Sequence, residues 1–112
     1  VSTSPDEGRP VFVDVTADWC VTCKANKALV LDRQPVSSVM AAAAMTNSLG
    51  LLRADWTRPD DEIAAFLASH GRYGIPFNII LQPDGKTPII LPELLSDDAV
   101  LTALENAGVV SK

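Results

Sequence analysis

Both cysteines of the chain fall in one short stretch, ADWCVTCK, at positions 20 and 23. Two thiols at that spacing can clamp a metal, close a small structural loop, or exchange electrons as a dithiol and disulfide. A local bridge stabilises a domain of this size little, because the gain from loop closure grows with loop length. A structural zinc site takes four ligands, usually as two such pairs, and this chain offers one pair and a single histidine, His70. Electron exchange needs fewer parts: one activated thiol to attack and a second to resolve the mixed disulfide.

The elements around the pair decide how well it can do this. VFVDV (Val11 to Val15) is rich in β-branched residues and reads as a strand. A helix should open at Cys20, with Val21, Ala25, Ala28 and Leu29 as the apolar stripe lying on the sheet. That arrangement puts Cys20 among the unpaired N–H groups of a helix N-terminus, where a thiolate is favoured over a thiol. Cys23 follows one turn later on the same face. One thiol is thus expected to be exposed and the other sheltered.

Downstream, Pro35 suits the first turn of a second helix running through MAAAAM, and LGLLRADW (Leu49 to Trp56) reads as the next strand. Pro59-Asp60-Asp61-Glu62 opens a helix with the stripe Ile63, Phe66, Leu67 and a stop at Gly71. FNIIL (Phe77 to Leu81) and TPIIL (Thr87 to Leu91) flank Gln82-Pro83-Asp84-Gly85-Lys86 and read as a hairpin. Ser96 caps a last helix whose apolar face is Val100, Leu101, Leu104 and Ala107, ending before Gly108. The order β-α-(α)-β-α-β-β-α implies an α/β domain: a four-stranded mixed sheet, the first two strands parallel, with helices on both faces. His70 reads as a helix C-terminal residue rather than a ligand, and Trp56, Phe66 and Met40 as core.

With those residues in place, VDVTADWCVTCK resembles the active-site region of thioredoxin-fold proteins, and the similarity runs from about Val11 to the C-terminus. Within that superfamily DWCVTCK, YGIPFNIILQPDG and LPELLS most resemble the C-terminal periplasmic domain of the DsbD and ScsB thiol:disulfide interchange proteins. The resemblance implies a redox-active disulfide Cys20–Cys23 as the only redox group, with no further cofactor and no metal. It matches Asp14 to a buried acid that exchanges a proton with Cys23, and Ile75-Pro76 to a loop whose cis proline faces the disulfide and receives a substrate strand. It also implies a domain of an inner-membrane protein, facing the periplasm. There it would take electrons from a transmembrane donor domain of the same full-length chain and reduce partner proteins with disulfides. The chain departs from the pattern at Lys27, where an acidic residue is expected.

Three further residues bear on the site. Trp19 is expected at its rim, covering Cys20. Val21 and Thr22 between the cysteines carry no charge, which favours a reductant over an oxidant, because a histidine there would stabilise the thiolate of the reduced form. Lys27 lies within about 40° of both cysteines on a helical wheel and should lower the thiol pKa values.

Composition bounds the rest. The 112 residues are 47% hydrophobic and 21% charged, enough for one domain with its own core. The longest apolar run, Met40 to Met45, is too short to span a bilayer. A formal net charge of −5 argues against a nucleic-acid partner. The chain opens VSTSPDEGRP, without an initiator methionine or signal sequence, and so reads as a piece of something longer. Residues 1–9 have linker character and residues 10–112 form the domain, expected to act as a monomer. The alternatives are a disulfide oxidase or isomerase, and a module binding Cu(I) through two thiolates.

Overall fold

The computed structural model describes residues 8–109. Strands β1 (Val11–Thr16), β2 (Gly50–Asp55), β3 (Phe77–Leu81) and β4 (Ile89–Ile90) form one sheet in the order β2-β1-β3-β4. β1 runs parallel to β2 and antiparallel to β3, and β3 is antiparallel to β4. The expected linker, residues 1–9, lies outside the described residues apart from Gly8 and Arg9.

Alternation along the two central strands divides the core. Val13, Val15, Phe77 and Ile79 face one way and pack with Ile63 and Leu67 of α3 (Asp61–Ser69). Phe12 and Ile80 face the other way, against Val36 and Ala43 of α2 (Val36–Met45) and Val100 and Leu104 of α4 (Asp97–Asn106). All five residues of β3 are buried, which is why FNIIL reads as an apolar run with one polar interruption, Asn78.

Local signals account for the helix ends. Asp60 accepts the N–H groups of Glu62 and Ile63, and Ser96 accepts that of Ala99. Gly71 and Gly108 take φ of +73° and +77° just past α3 and α4, a conformation glycine adopts without cost. In the loop between β3 and β4, Asp84 and Gly85 both have positive φ.

Two expectations are corrected. The fourth strand was expected over Thr87 to Leu91, but only Ile89 and Ile90 pair. Pro88 has no N–H to give a ladder, and the strand is confined to the sheet edge. The first helix does not bury Val21, Ala25, Ala28 and Leu29. Val21 is 80% and Leu29 60% exposed, whereas Cys23, Asn26 and Val30 are buried. α1 (Val21–Asn26) continues into a π-helical segment, Lys27–Leu31. The wider turn carries Val30 inward, giving an inward stripe of Cys23, Asn26 and Val30.

Candidate active site

β1 is a central strand, and the chain leaves its C-terminal end through Ala17-Asp18-Trp19 to reach Cys20, the N-cap of α1. The Cys23 N–H donates to Cys20 Sγ at 3.1 Å, and the Lys24 N–H donates to the Cys20 carbonyl. Cys20 and Cys23 form a disulfide, with Cα atoms 5.3 Å apart. Both cysteines are 6% exposed. The expectation of one exposed and one sheltered thiol is therefore not met in this oxidised state, where the bonded sulfurs cover each other and pack on Ala17 and Ile75.

The Ile75–Pro76 peptide is cis, and Ile75 packs against the cysteine cluster from the loop ahead of β3. Trp19 is 59% exposed beside Cys20, and its indole N–H donates to the Thr57 carbonyl at 3.1 Å. Thr57 also accepts the Asp18 N–H on its hydroxyl, and its own N–H and hydroxyl donate to Asp55. Those two bonds hold the Asp55 carboxyl below its usual range. The loop after β2 thus pins the approach to Cys20, a role for Thr57 and Asp55 that sequence reasoning missed. Polar side chains directly after a strand end were the available signal.

Asp14 sits half-buried on β1, on the face that carries Phe12. Burial pushes its carboxyl above the ordinary value, opposed by the positive charges of Arg53 and Lys27. Arg53 is its partner in the β1–β2 register. Asp14 opens onto a cleft of about 410 Å³ walled by Phe12, Leu31 and Met40, and Cys23 onto a second of about 260 Å³ with Thr16 and Asp55. Lys27 and Arg53 line both clefts. The Lys27 ammonium is bonded to Asp32 at 2.6 Å, and the side chain is 45% exposed. Lys27 therefore stands beside the acid and the inner cysteine while engaged by a carboxylate of its own π segment's end.

Asn26, one turn beyond Cys23, was also missed. It is 3% exposed, donates to the Glu93 carbonyl at 2.8 Å and accepts the Leu95 N–H at 3.0 Å. A polar residue inside an apolar stripe is tolerated when both ends of its amide are paired. His70 caps α3 at its C-terminal end and stacks edge-on with Phe66. Among the described residues no group of three or more His, Cys, Asp or Glu side chains could hold a metal ion, and no helix is long and apolar enough to cross a membrane.

A sheet ordered β2-β1-β3-β4, a disulfide at the N-cap of the helix after β1 and a cis proline just ahead of β3 define a thioredoxin-like domain. The thioredoxin-like family model matches residues 3–83, and the chain belongs to that family. Its similarity is to one branch in particular. The thiol:disulfide interchange protein DsbD of Ralstonia nicotianae is 30% identical over 101 residues, covering 89% of this chain and 16% of that protein. The oxidised C-terminal domain of Neisseria meningitidis DsbD superposes with a TM-score of 0.69 at 26% identity, over 88% of this chain and 80% of that domain. A Thermus thermophilus thioredoxin, 20% identical with a TM-score of 0.66, covers 91% of this chain and 75% of its own and shares the fold. The chain thus spans about a sixth of the DsbD relative it matches. The Cys20–Cys23 disulfide thus sits in a thioredoxin-like chain similar to thiol:disulfide interchange proteins.

Proposed function

We propose that this domain relays electrons through Cys20–Cys23 to partner proteins bearing disulfides, on the periplasmic side of an inner membrane. The observation that carries the reading is Cys20 at the N-cap of α1 with the Cys23 N–H directed at its Sγ. That donor, with the positive end of the helix, favours the attacking thiolate once the disulfide is reduced. The Cys20 thiolate attacks one sulfur of the partner disulfide, and the other leaves as a thiolate that takes a proton from water. Cys23 then loses its proton to the Asp14 carboxylate and attacks Cys20 Sγ, expelling the second partner thiolate, which takes up the proton that Asp14 releases through water. One partner disulfide becomes two thiols, two electrons have moved, and Cys20–Cys23 is again a disulfide.

The side chains divide the remaining tasks. Ile75 and Pro76 offer the backbone edge along which a partner strand pairs, and Trp19 screens Cys20. Lys27 lowers the thiol pKa values and Arg53 steadies the Asp14 carboxylate. Uncharged Val21 and Thr22 favour reduction over oxidation. Residues 1–9 serve as a linker to a transmembrane electron-donor domain of the full-length chain, residues 10–112 act as a monomer, and no group beyond the disulfide is needed. The net charge of −5 supports protein rather than nucleic-acid partners.

Trapping with Cys23→Ser in a periplasmic extract tests this. Mixed disulfides through Cys20 are expected, and an absence of adducts overturns the reading. Tight one-to-one Cu(I) binding without reduction of insulin disulfides would replace it with the metal-binding alternative.

A further inference from the structure

Asn78 is the one polar side chain of β3, 1% exposed in the middle of the sheet. Its backbone carbonyl is satisfied by the Leu91 N–H, yet its side-chain oxygen Oδ1 is buried and has no hydrogen-bond partner among the described residues. A buried acceptor is rarely left so. Asn78 lies directly opposite Asp14 in the β1–β3 register, and Phe12↔Ile80 on the same face belong to one core cluster. Directly opposed residues on an antiparallel pair carry their side chains on one face, with Cβ atoms about 4.5–5.5 Å apart. The other groups facing Asp14 are Arg53 from β2, Lys27 from the π segment and Asp32 just past its end, while Cys23 of α1, Lys24, Asp18 and Asp55 lie around the adjoining cleft. An ionised carboxylate has no hydrogen to offer Oδ1, and a neutral carboxyl has one.

We propose that Asn78 is a positioning residue for Asp14: its buried amide oxygen accepts the O–H of the neutral carboxyl and orients it within the site. This rests on the acid–base role of Asp14 proposed above. When Cys23 gives its proton to Asp14, the new O–H finds Oδ1 waiting, and when that proton leaves, the bond breaks. Asn78 thereby makes Asp14 a better proton acceptor without touching sulfur or substrate.

The test is a carboxyl ¹³C NMR titration of Asp14 in the oxidised 112-residue protein, for the native sequence, Asn78→Leu and Asn78→Thr. Leucine keeps the γ-branched, four-heavy-atom shape of asparagine without its polar atoms, and threonine keeps an oxygen acceptor. The expected result is a downward move of the Asp14 midpoint in Asn78→Leu, partly restored in Asn78→Thr. Burying Asp14 among more carbon drives the midpoint up, as does losing an amide N–H that had held the carboxylate. An unchanged or higher midpoint in Asn78→Leu overturns the inference. The pH profile of insulin reduction separates it from the underlying reading. If Asp14→Asn leaves that profile unaltered, the acid–base role fails while the titration still decides the Asn78 contact. If Asp14→Asn alters it and the Asn78→Leu midpoint does not fall, the inference alone fails.

Discussion

Truncating Asn26 should destabilise the domain through the loop it holds rather than through the core it fills. Asn26→Ala removes two hydrogen bonds, to the Glu93 carbonyl and from the Leu95 N–H. Glu93 is exposed, so its carbonyl recovers a water and costs well under about 1 kcal/mol. Leu95 is 6% exposed, and leaving its N–H unpaired costs about 1–3 kcal/mol. The small void adds roughly 0.5–1 kcal/mol, and alanine's better helix propensity returns roughly 0.5 kcal/mol. The net is about 1–4 kcal/mol, which for a domain of this size lowers Tm by roughly 5–25 °C. Thermal unfolding of the oxidised protein, followed by circular dichroism, reads this directly. Because Asn26 lies one turn from Cys23, insulin reduction should also slow at temperatures where the variant is still folded. A loss below about 0.5 kcal/mol would refute the reasoning and mean that the 93–95 loop finds other donors and acceptors.

Asp14→Asn should stabilise the oxidised domain at pH 7. The folded carboxyl is raised above its ordinary 3.8 by burial, so its favourable contribution is complete below that value and is lost as pH rises through the higher folded value. The gain over the native protein should therefore shrink on acidification toward pH 3.8, and urea melts at several pH values check this. Asp60→Ala should cost about 1 kcal/mol in the same melts, since Asp60 caps two N–H groups of α3. Lys27→Glu removes the cation shared by the two clefts and sets an acid beside Asp32. It should raise the thiol pKa values, slow alkylation of Cys20 at neutral pH and make the protein more reducing, and unchanged alkylation rates would dismiss Lys27 as a tuning residue.

Features written in neighbouring residues were readable from sequence. The helix opening at Pro59-Asp60-Asp61-Glu62, Ser96 as a cap, Gly71 and Gly108 as stops, and FNIIL between Pro76 and Gln82-Pro83 needed no knowledge of distant chain, and all stand where expected. The orientation of α1 was not readable. Val21, Ala25 and Leu29, and likewise Cys23, Asn26 and Val30, recur at helical steps of three or four, so periodicity offered two stripes and hydrophobicity chose the wrong one. What settles it is the paired amide of Asn26, whose partners lie 67 and 69 residues away. The same holds at the site: Cys20, Cys23 and the loop of Ile75-Pro76 form a local pattern, whereas the placing of Arg53 and Asn78 opposite Asp14 comes from strand register. Thr57 joins the site through hydrogen bonds across 38 and 39 residues, which no short motif records.

The most direct test of the domain as a disulfide reductase is equilibration with glutathione, following the fraction of Cys20–Cys23 disulfide by alkylation and mass. The expected result is a reducing potential, on the thioredoxin side of the glutathione couple at roughly −230 mV or below, with insulin disulfides reduced by the pre-reduced protein. A potential near about −120 mV, typical of a strongly oxidising dithiol, would contradict it and turn the electron flow the other way.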